Sequence, residues 1–251
     1  YLKKLSSKEM CYRVIRTIGI GESDLETKLL PVINNQVDPT VATYAKEGEC
    51  TLRVASQRET EAEAQLAVNN MISEIEKLIG NYIYSYDDEE LSEVVVKQLK
   101  EKDLKLSSAE SCTGGLFASC ITDVSGASSV FSYGFVTYSA AAKSEILYVD
   151  SEVIEKHSVV SAEVAVLMAK GAQNAANSDI SVSVTGYAGP EADPGRDNGN
   201  AYIGYSCSDR FGGKCGYVEI NTKRSDRKWN RNYFKLRMLL VVHEILNGKL
   251  S

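Results

Sequence analysis

The feature that most restricts this chain is an alternation, from about residue 91 onward, of short β-prone runs with segments of helical period. Residues 104–109, 134–139, 180–185, 201–206 and 217–221 read as strands. Residues 91–100, 113–123, 141–149, 161–176 and 226–246 read as helices, the fourth with Val164, Leu167 and Met168 at i, i+3, i+4 spacing on an inward face. Strands interleaved with helices bury a sheet under helical layers, so residues 85–251 are expected to form one layered α/β domain.

Residues 1–84 follow another pattern. Residues 11–20 alternate as a strand ended by Gly19 and Gly21, and Ser23 or Asp24 then offers a helix cap ahead of Leu25, Leu29 and Leu30. Two β-prone runs, 41–46 and 50–56, are joined by Glu47-Gly48-Glu49, a hairpin signature. Residues 59–78 carry Ala62, Leu66, Ala67, Met71, Ile75 and Leu78 at helical spacing and stop at Gly80. The order βαββα describes a small α+β unit. Residues 82–90 (YIYSYDDEE) turn to tyrosine and acid, as a linker or edge segment does.

Composition narrows the function classes. No apolar run approaches the roughly 20 residues that span a bilayer, so no membrane partner is expected. The net charge of −6 divides as −2 for residues 1–84 and −4 for the rest, so neither part carries the basic footprint of a nucleic-acid binder. Cysteines at 11, 50, 112, 120, 207 and 215 include no C-x-x-C pair, and His157 and His243 stand far apart; no metal site is expected. Free thiols without a secretory pattern favour the reducing cytoplasm. The first residue is Tyr1, from which we expect upstream residues to be absent from this chain.

Four segments carry candidate chemistry. Glu110-Ser111-Cys112-Thr113-Gly114-Gly115 follows a strand and opens a helix, where small residues and free amides make either an anion cradle or simply a tight capped turn. Residues 125–143 place Ser128 and Ser129 before a strand and Tyr138, Ser139 and Lys143 after it. Amide hydrolysis without metal or histidine needs a hydroxyl nucleophile and a base near neutrality, and a desolvated lysine can serve as that base. The residues alone leave Lys143 as either that base or an ordinary helix-surface lysine. Thr185-Gly186-Tyr187-Ala188-Gly189-Pro190 follows an apolar strand, at the carboxyl end where open α/β sheets bind ligands. Ser225-Asp226-Arg227 reads as a helix start whose Arg227 opposes the helix dipole unless phosphate or Asp226 partners it.

In combination these segments resemble the CinA family. Residues from about 91 to the end, through AESCTGGLFASCITDVSGASSVFSYGFVTYSAAAK, VVSAEVA, VTGYAGP and SDRKWNR, look like its C-terminal domain, the nicotinamide-nucleotide amidohydrolase. Residues 1–84, with RTIGIGES and TLRVASQ, resemble its KH-like domain. The resemblance implies a three-layer α/β C-terminal domain (85–251) behind a small α+β KH-like domain (1–84). It also implies a further N-terminal nucleotide-pyrophosphatase domain in the full-length protein.

The implied activity is hydrolysis of the carboxamide of NMN to nicotinic acid mononucleotide and ammonia, with no cofactor. Family correspondence makes Ser128, in Gly126-Ala127-Ser128, the nucleophile and Lys143 its base, with Tyr138 as relay. Ser111, Thr185 and Arg227 match positions used around the family's site. The turn Ser111, Thr113, Gly114 and Gly115 is expected to hold substrate and steady the oxyanion, together with Thr185, Gly186 and a phosphate-binding Arg227. Ala127 and Ala140 depart from the family pattern, so the alternative is a catalytically impaired nucleotide-binding or regulatory protein. Glycines at Gly19-Ile20-Gly21 lack the G-x-x-G spacing of RNA-clamping KH modules, so no nucleic-acid partner is expected. A homo-oligomer is expected from the resemblance.

Overall fold

Antiparallel pairing organises the first unit. β1 (Glu9–Ile18) pairs with β3 (Glu49–Arg58), and β2 (Thr40–Lys46) pairs with β3 through Lys46↔Glu49. A computed structural model of the chain describes residues 8–46 and 48–250. Glu47 of the expected hairpin therefore lies outside the described residues, while its neighbour Gly48 turns with φ +79°. A short β4 (Ile83–Ser85) adds to the other side of β1, giving the order β2-β3-β1-β4. The stretch expected as linker or edge thus supplies an edge strand.

α1 (Glu22–Ile33) and α2 (Glu61–Ile79) cover this sheet, burying Leu25 and Leu29 with Ile15, Leu52, Val54, Val68 and Ile75. α2 starts on a capping box in which Thr60 accepts from Glu63 N and Glu63 accepts from Thr60 N. α1 begins earlier than its expected cap, with Gly21 at the N-cap and no side-chain cap, so Ser23 and Asp24 fall inside the helix. Arg16, buried on β1, donates to Asp88 (2.8 Å) and Glu90 (2.9 Å), anchoring the acidic segment that ends this unit.

The chain divides between Glu90 and Leu91. The second unit is a five-stranded sheet of order β6-β5-β7-β8-β9, built from β5 (Leu106–Glu110), β6 (Phe131–Val136), β7 (Ile180–Gly186), β8 (Asn200–Cys207) and β9 (Cys215–Asn221). β5, β6 and β7 run parallel; β8 and β9 are antiparallel additions. Helices occupy both faces, which makes the three layers. On one face Ser183 Oγ donates to Ala165 O of α7 (Ala162–Ala176), and Ala109 packs with Val164 and Met168. α5 (Ala140–Leu147) and α6 (Ser151–His157) complete that layer. The other face carries α3 (Leu91–Glu101), α4 (Leu116–Thr122) and α8 (Arg227–Leu246), with Gly134 pressed so close to Ala118 of α4 that a Cβ would stand 2.9 Å away.

Several expected boundaries move, each for a local reason. α4 begins at Leu116 instead of 113, because Gly114 and Gly115 take left-handed backbone (φ +61° and +96°) and prolong the turn. β6 lies at Phe131–Val136 rather than 134–139, and Ser139 caps α5 instead of closing the strand. α5 stops at Leu147, where Tyr148 turns left-handed, and α6 follows as a separate helix. Among the described residues no helix is long and apolar enough to cross a membrane.

Candidate functional site

The site forms where β5, β6 and β7 end together. β5 runs out on Glu110, whose buried carboxylate accepts from the amides of Gly115 (3.0 Å), Phe117 (3.1 Å) and Ala118 (2.8 Å). A carboxylate is the strongest available cap for a helix start, since it meets both the orphan amides and the positive dipole end. This corrects the expectation that the helix-start amides receive substrate: those at Gly115, Phe117 and Ala118 already hold an internal anion. Gly114 N is also engaged, donating to Ser111 O (3.1 Å). Arg231 of α8 grips the turn from outside, donating to Cys112 O (3.1 Å) and Thr113 O (2.7 Å).

That clamp holds Ser111 beside β7, with its amide donating to Val184 O (3.1 Å). Lys143 arrives from the opposite layer. Ser139 caps α5 by accepting from Ala142 N (3.0 Å), and Lys143, one turn in, reaches back toward the sheet. Its Nζ donates to Thr137 O (2.8 Å) and Tyr138 O (3.4 Å) and lies 3.1 Å from Ser111 Oγ. The side chain is fully buried, and among the described residues no carboxylate pairs with it. Burial pushes its ammonium down from the ordinary lysine value of 10.5 to about 8. A neutral amine has two N–H groups and one lone pair, matching two carbonyl acceptors and one hydroxyl donor at these positions.

Ser128 is a correction. It sits exposed in a 3-10 turn (Ala127–Ser129) ahead of β6, where Val130 O accepts from Leu106 N at the start of β5. Lys143 belongs to the other end, where Thr137 N donates to Glu110 O. Six residues of β6 separate the two ends, about 20 Å at the rise of an extended strand. The expected Ser128–Lys143 pair does not form, and Tyr138 relays nothing between them. The hydroxyl that meets Lys143 is that of Ser111.

Tyr138 touches the lysine through its main-chain carbonyl, while its exposed ring carries its hydroxyl to Arg227 Nη2 (3.3 Å). Arg227 Nη1 donates to Gly189 O (3.0 Å), so one guanidinium ties the two loops that flank the site. Thr185 is buried and donates to Val159 O (2.8 Å), which makes it a brace for the loop ahead of α7. Gly186 is required by packing, because a Cβ there would fall 2.5 Å from Ala201 Cβ on β8. Thr113 is fully buried, and among the described residues its hydroxyl has no hydrogen-bond partner.

Two organising residues escaped the sequence reading. Glu110 stood in a motif read for its amides, and its signal was an acid placed between a strand and Gly-Gly. Asn230, buried one turn beyond Arg227, donates to Ala188 O (2.9 Å) and Arg224 O (2.8 Å) and accepts from Thr222 Oγ1 (2.6 Å). Nothing in the order of residues marks it, since it joins the turn at Thr222 and Arg224 just ahead of the helix to Ala188, 42 positions away. Cys112 is no rival nucleophile: burial pushes its thiol up to about 12, although Lys143 and Arg227 both pull the other way.

Comparison with known proteins agrees with this architecture. Residues 88–246 match the family model described as the CinA C-terminal domain, and residues 12–85 match that of the damage-inducible protein CinA KH domain. A relative from Caldicellulosiruptor saccharolyticus that carries a competence-damage inducible name is 47% identical over 205 residues, covering 81% of this chain and 50% of its own length. A CinA-like protein of Dictyoglomus thermophilum is 40% identical over 240 residues, covering 95% of this chain and 57% of its own. The chain thus spans about half the length of these relatives. Among solved structures, the competence/damage inducible protein CihA from Agrobacterium tumefaciens superposes with a TM-score of 0.59 at 29% identity, over 62% of this chain and 93% of that one. A CinA superfamily protein from Escherichia coli gives 0.58 at 30% identity, over 66% and 96%.

Proposed function

This chain belongs to the CinA family, and we propose that its C-terminal unit hydrolyses the carboxamide of NMN to nicotinic acid mononucleotide and ammonia, with Ser111 as nucleophile and Lys143 as base. The observation that carries this reading is the 3.1 Å approach of a fully buried, unpaired lysine amine to the Ser111 hydroxyl. A serine hydroxyl is a weak nucleophile until a neighbouring base removes its proton. Burial, which lowers the amine from 10.5 to about 8, makes the neutral base available near neutral pH and more so as pH rises.

The chemistry balances as follows. Neutral Lys143 takes the proton from Ser111 Oγ as that oxygen bonds to the carboxamide carbon. The ammonium then returns the proton to the amide nitrogen, the C–N bond breaks, and ammonia leaves an acyl ester on Ser111. Water attacks that ester, Lys143 accepts one of its protons, and the same proton restores the serine hydroxyl as nicotinic acid departs and gives its remaining proton to solvent to become the carboxylate. The Arg227 guanidinium on the flanking loops suits an anionic nucleotide.

Ammonia release from NMN, with nicotinic acid mononucleotide identified as the product, tests the reading. Ser111→Ala is expected to abolish turnover while Ser128→Ala retains it. Full activity in Ser111→Ala sinks the assignment. Saturable NMN binding without ammonia release from the unaltered protein would instead favour the impaired, regulatory alternative.

A further inference from the structure

We propose that the open edge of β6 docks a second copy of this chain, the two β6 strands pairing antiparallel about a two-fold axis at Gly134. The proposal stands apart from the deamidase reading, because it rests on strand order, exposure and charge.

β6 lies at one end of the sheet and pairs with β5 alone. Thr137 N donates to Glu110 O, which turns Thr137 toward β5; Gly134 and Val136, of the opposite parity, direct their amides and carbonyls away from it. Ser132, Tyr133, Gly134 and Val136 are exposed, and Tyr133 and Val136 keep 50% and 51% of their surface open. A bare strand edge of this kind is a template for another strand.

Charge singles this edge out. The described residues form two sheets with four edges. β2 ends on Lys46, β4 is three residues long and runs into Asp87 and Asp88, and β9 carries Glu219 with Lys214 just ahead of it. Short strands and charged side chains are the usual guards against edge pairing. β6 has neither: no charged residue and no proline lies between Asp123 and Lys143. Lys100 and Lys105 reach the turn ahead of the strand, where each holds a carbonyl, at Ser125 and Ser129.

A second copy answers these conditions. The chain carries a net charge of −6, so two copies repel least where neither bears a charge. Two-fold pairing presents the same surface from both sides, and Gly134 is the middle of the run 132–136. Tyr133 and Phe135 stack on one face of the strand, with ring centroids 5.9 Å apart and planes 10° from parallel. Antiparallel pairing about Gly134 brings the stacks of the two copies side by side, the arrangement in which cross-strand aromatic pairs stabilise a sheet. β6 then leads into Thr137 and Tyr138, whose carbonyls hold Lys143, so the second copy bears on the segment that positions the amine.

Sedimentation equilibrium of the full chain at micromolar concentration reads the assembly, and the unaltered protein is expected to have the mass of two chains. Tyr133→Lys sets like charges against each other across the axis. Val136→Pro removes an outward amide and leaves the bonds to β5 in place. Each variant, with circular dichroism matching the parent, is expected to raise the dissociation constant by about tenfold or more. Tyr217→Lys, on the guarded β9 edge, is expected to leave the dimer unchanged. A monomeric parent overturns the pairing and leaves the edge to a partner of another kind. A trimeric parent, persistence of the dimer in both folded β6 variants, or equal dissociation by Tyr217→Lys overturns it as well.

Discussion

Lys143 Nζ lies 3.1 Å from Ser111 Oγ, although 32 positions separate the two residues and they reach the site from different layers of the domain. Serine comes from the end of a central strand and lysine from the first turns of a helix packed on one face. Between them the structure holds an amine in the dark of the protein with two carbonyls and one hydroxyl for company.

Replacing that amine tests both its roles. Lys143→Met is expected to lower ammonia release from NMN by at least about 10³-fold, the scale of losing a general base with its nucleophile left unactivated. The same change removes a buried charge with no carboxylate partner and fills its volume with an apolar chain, so the melting temperature is expected to rise. A variant that loses stability along with activity would make Lys143 a structural residue.

The pH profile follows from the same group. The working form is the neutral amine, so kcat/KM is expected to climb with pH and level off above about 8. Stability moves in a definite direction too. Because the folded value lies below the ordinary 10.5, the unfolded chain binds more protons between about 8 and 10.5 and the native state gains stability as pH rises through that window. Subtracting the unfolding free energy of Lys143→Met at each pH isolates this gain; a flat difference contradicts it.

Glu110 caps α4 with three amides at once. Glu110→Ala is expected to cost about 2–4 kcal/mol in urea unfolding, since three amides lose a charged acceptor at a buried helix start. Activity is expected to fall with it, because the turn that Glu110 folds is the one that places Ser111. An unfolding midpoint unchanged from the parent would show that water replaces the cap without loss.

Asn230 joins the Ala188 carbonyl, the Arg224 carbonyl and the Thr222 hydroxyl. Asn230→Leu leaves the buried Ala188 carbonyl unpaired and is expected to destabilise by about 1–3 kcal/mol. Calorimetric melting reads the loss, and a variant as stable as the parent would refute the bridging role.

Arg227 holds the Gly189 loop and Tyr138 from one guanidinium. Arg227→Ala is expected to raise KM for NMN far more than for nicotinamide riboside, which lacks the phosphate. Steady-state kinetics on both substrates decides it, and equal increases would confine Arg227 to tying the loops.

Local signals in the sequence reached the level of elements. Helical period marked α2 and α7 as helices, and Gly114-Gly115 marked the turn after β5, because periodicity and left-handed backbone depend on neighbouring residues alone. The face expected of α2 is corrected by the structure: Leu66 and Leu78 are exposed, and Ala64, Val68 and Ile79 join Ile75 in the core. Ends were less visible. Ser139 reads equally well as the last residue of a strand or as a helix cap, and only the parallel pairing that starts β6 at Phe131 settles which it is.

The residues at 111 and 143 were both legible as candidates, and so was the need for a hydroxyl beside a buried lysine. Which hydroxyl was not. Ser128 precedes β6 and Lys143 follows it, and a sequence carries no measure of the distance that an extended strand puts between its two ends. Parallel pairing of β5 with β6 and β7 is what collects Ser111, Thr137 and Thr185 at one edge and sends Ser128 to the other. Composition and pattern thus determined two units, a layered α/β domain and the kinds of side chain available for chemistry. Tertiary structure alone decided which serine stands beside the lysine, because strand direction and helix layering turn positions 32 apart in the chain into atoms 3.1 Å apart in space.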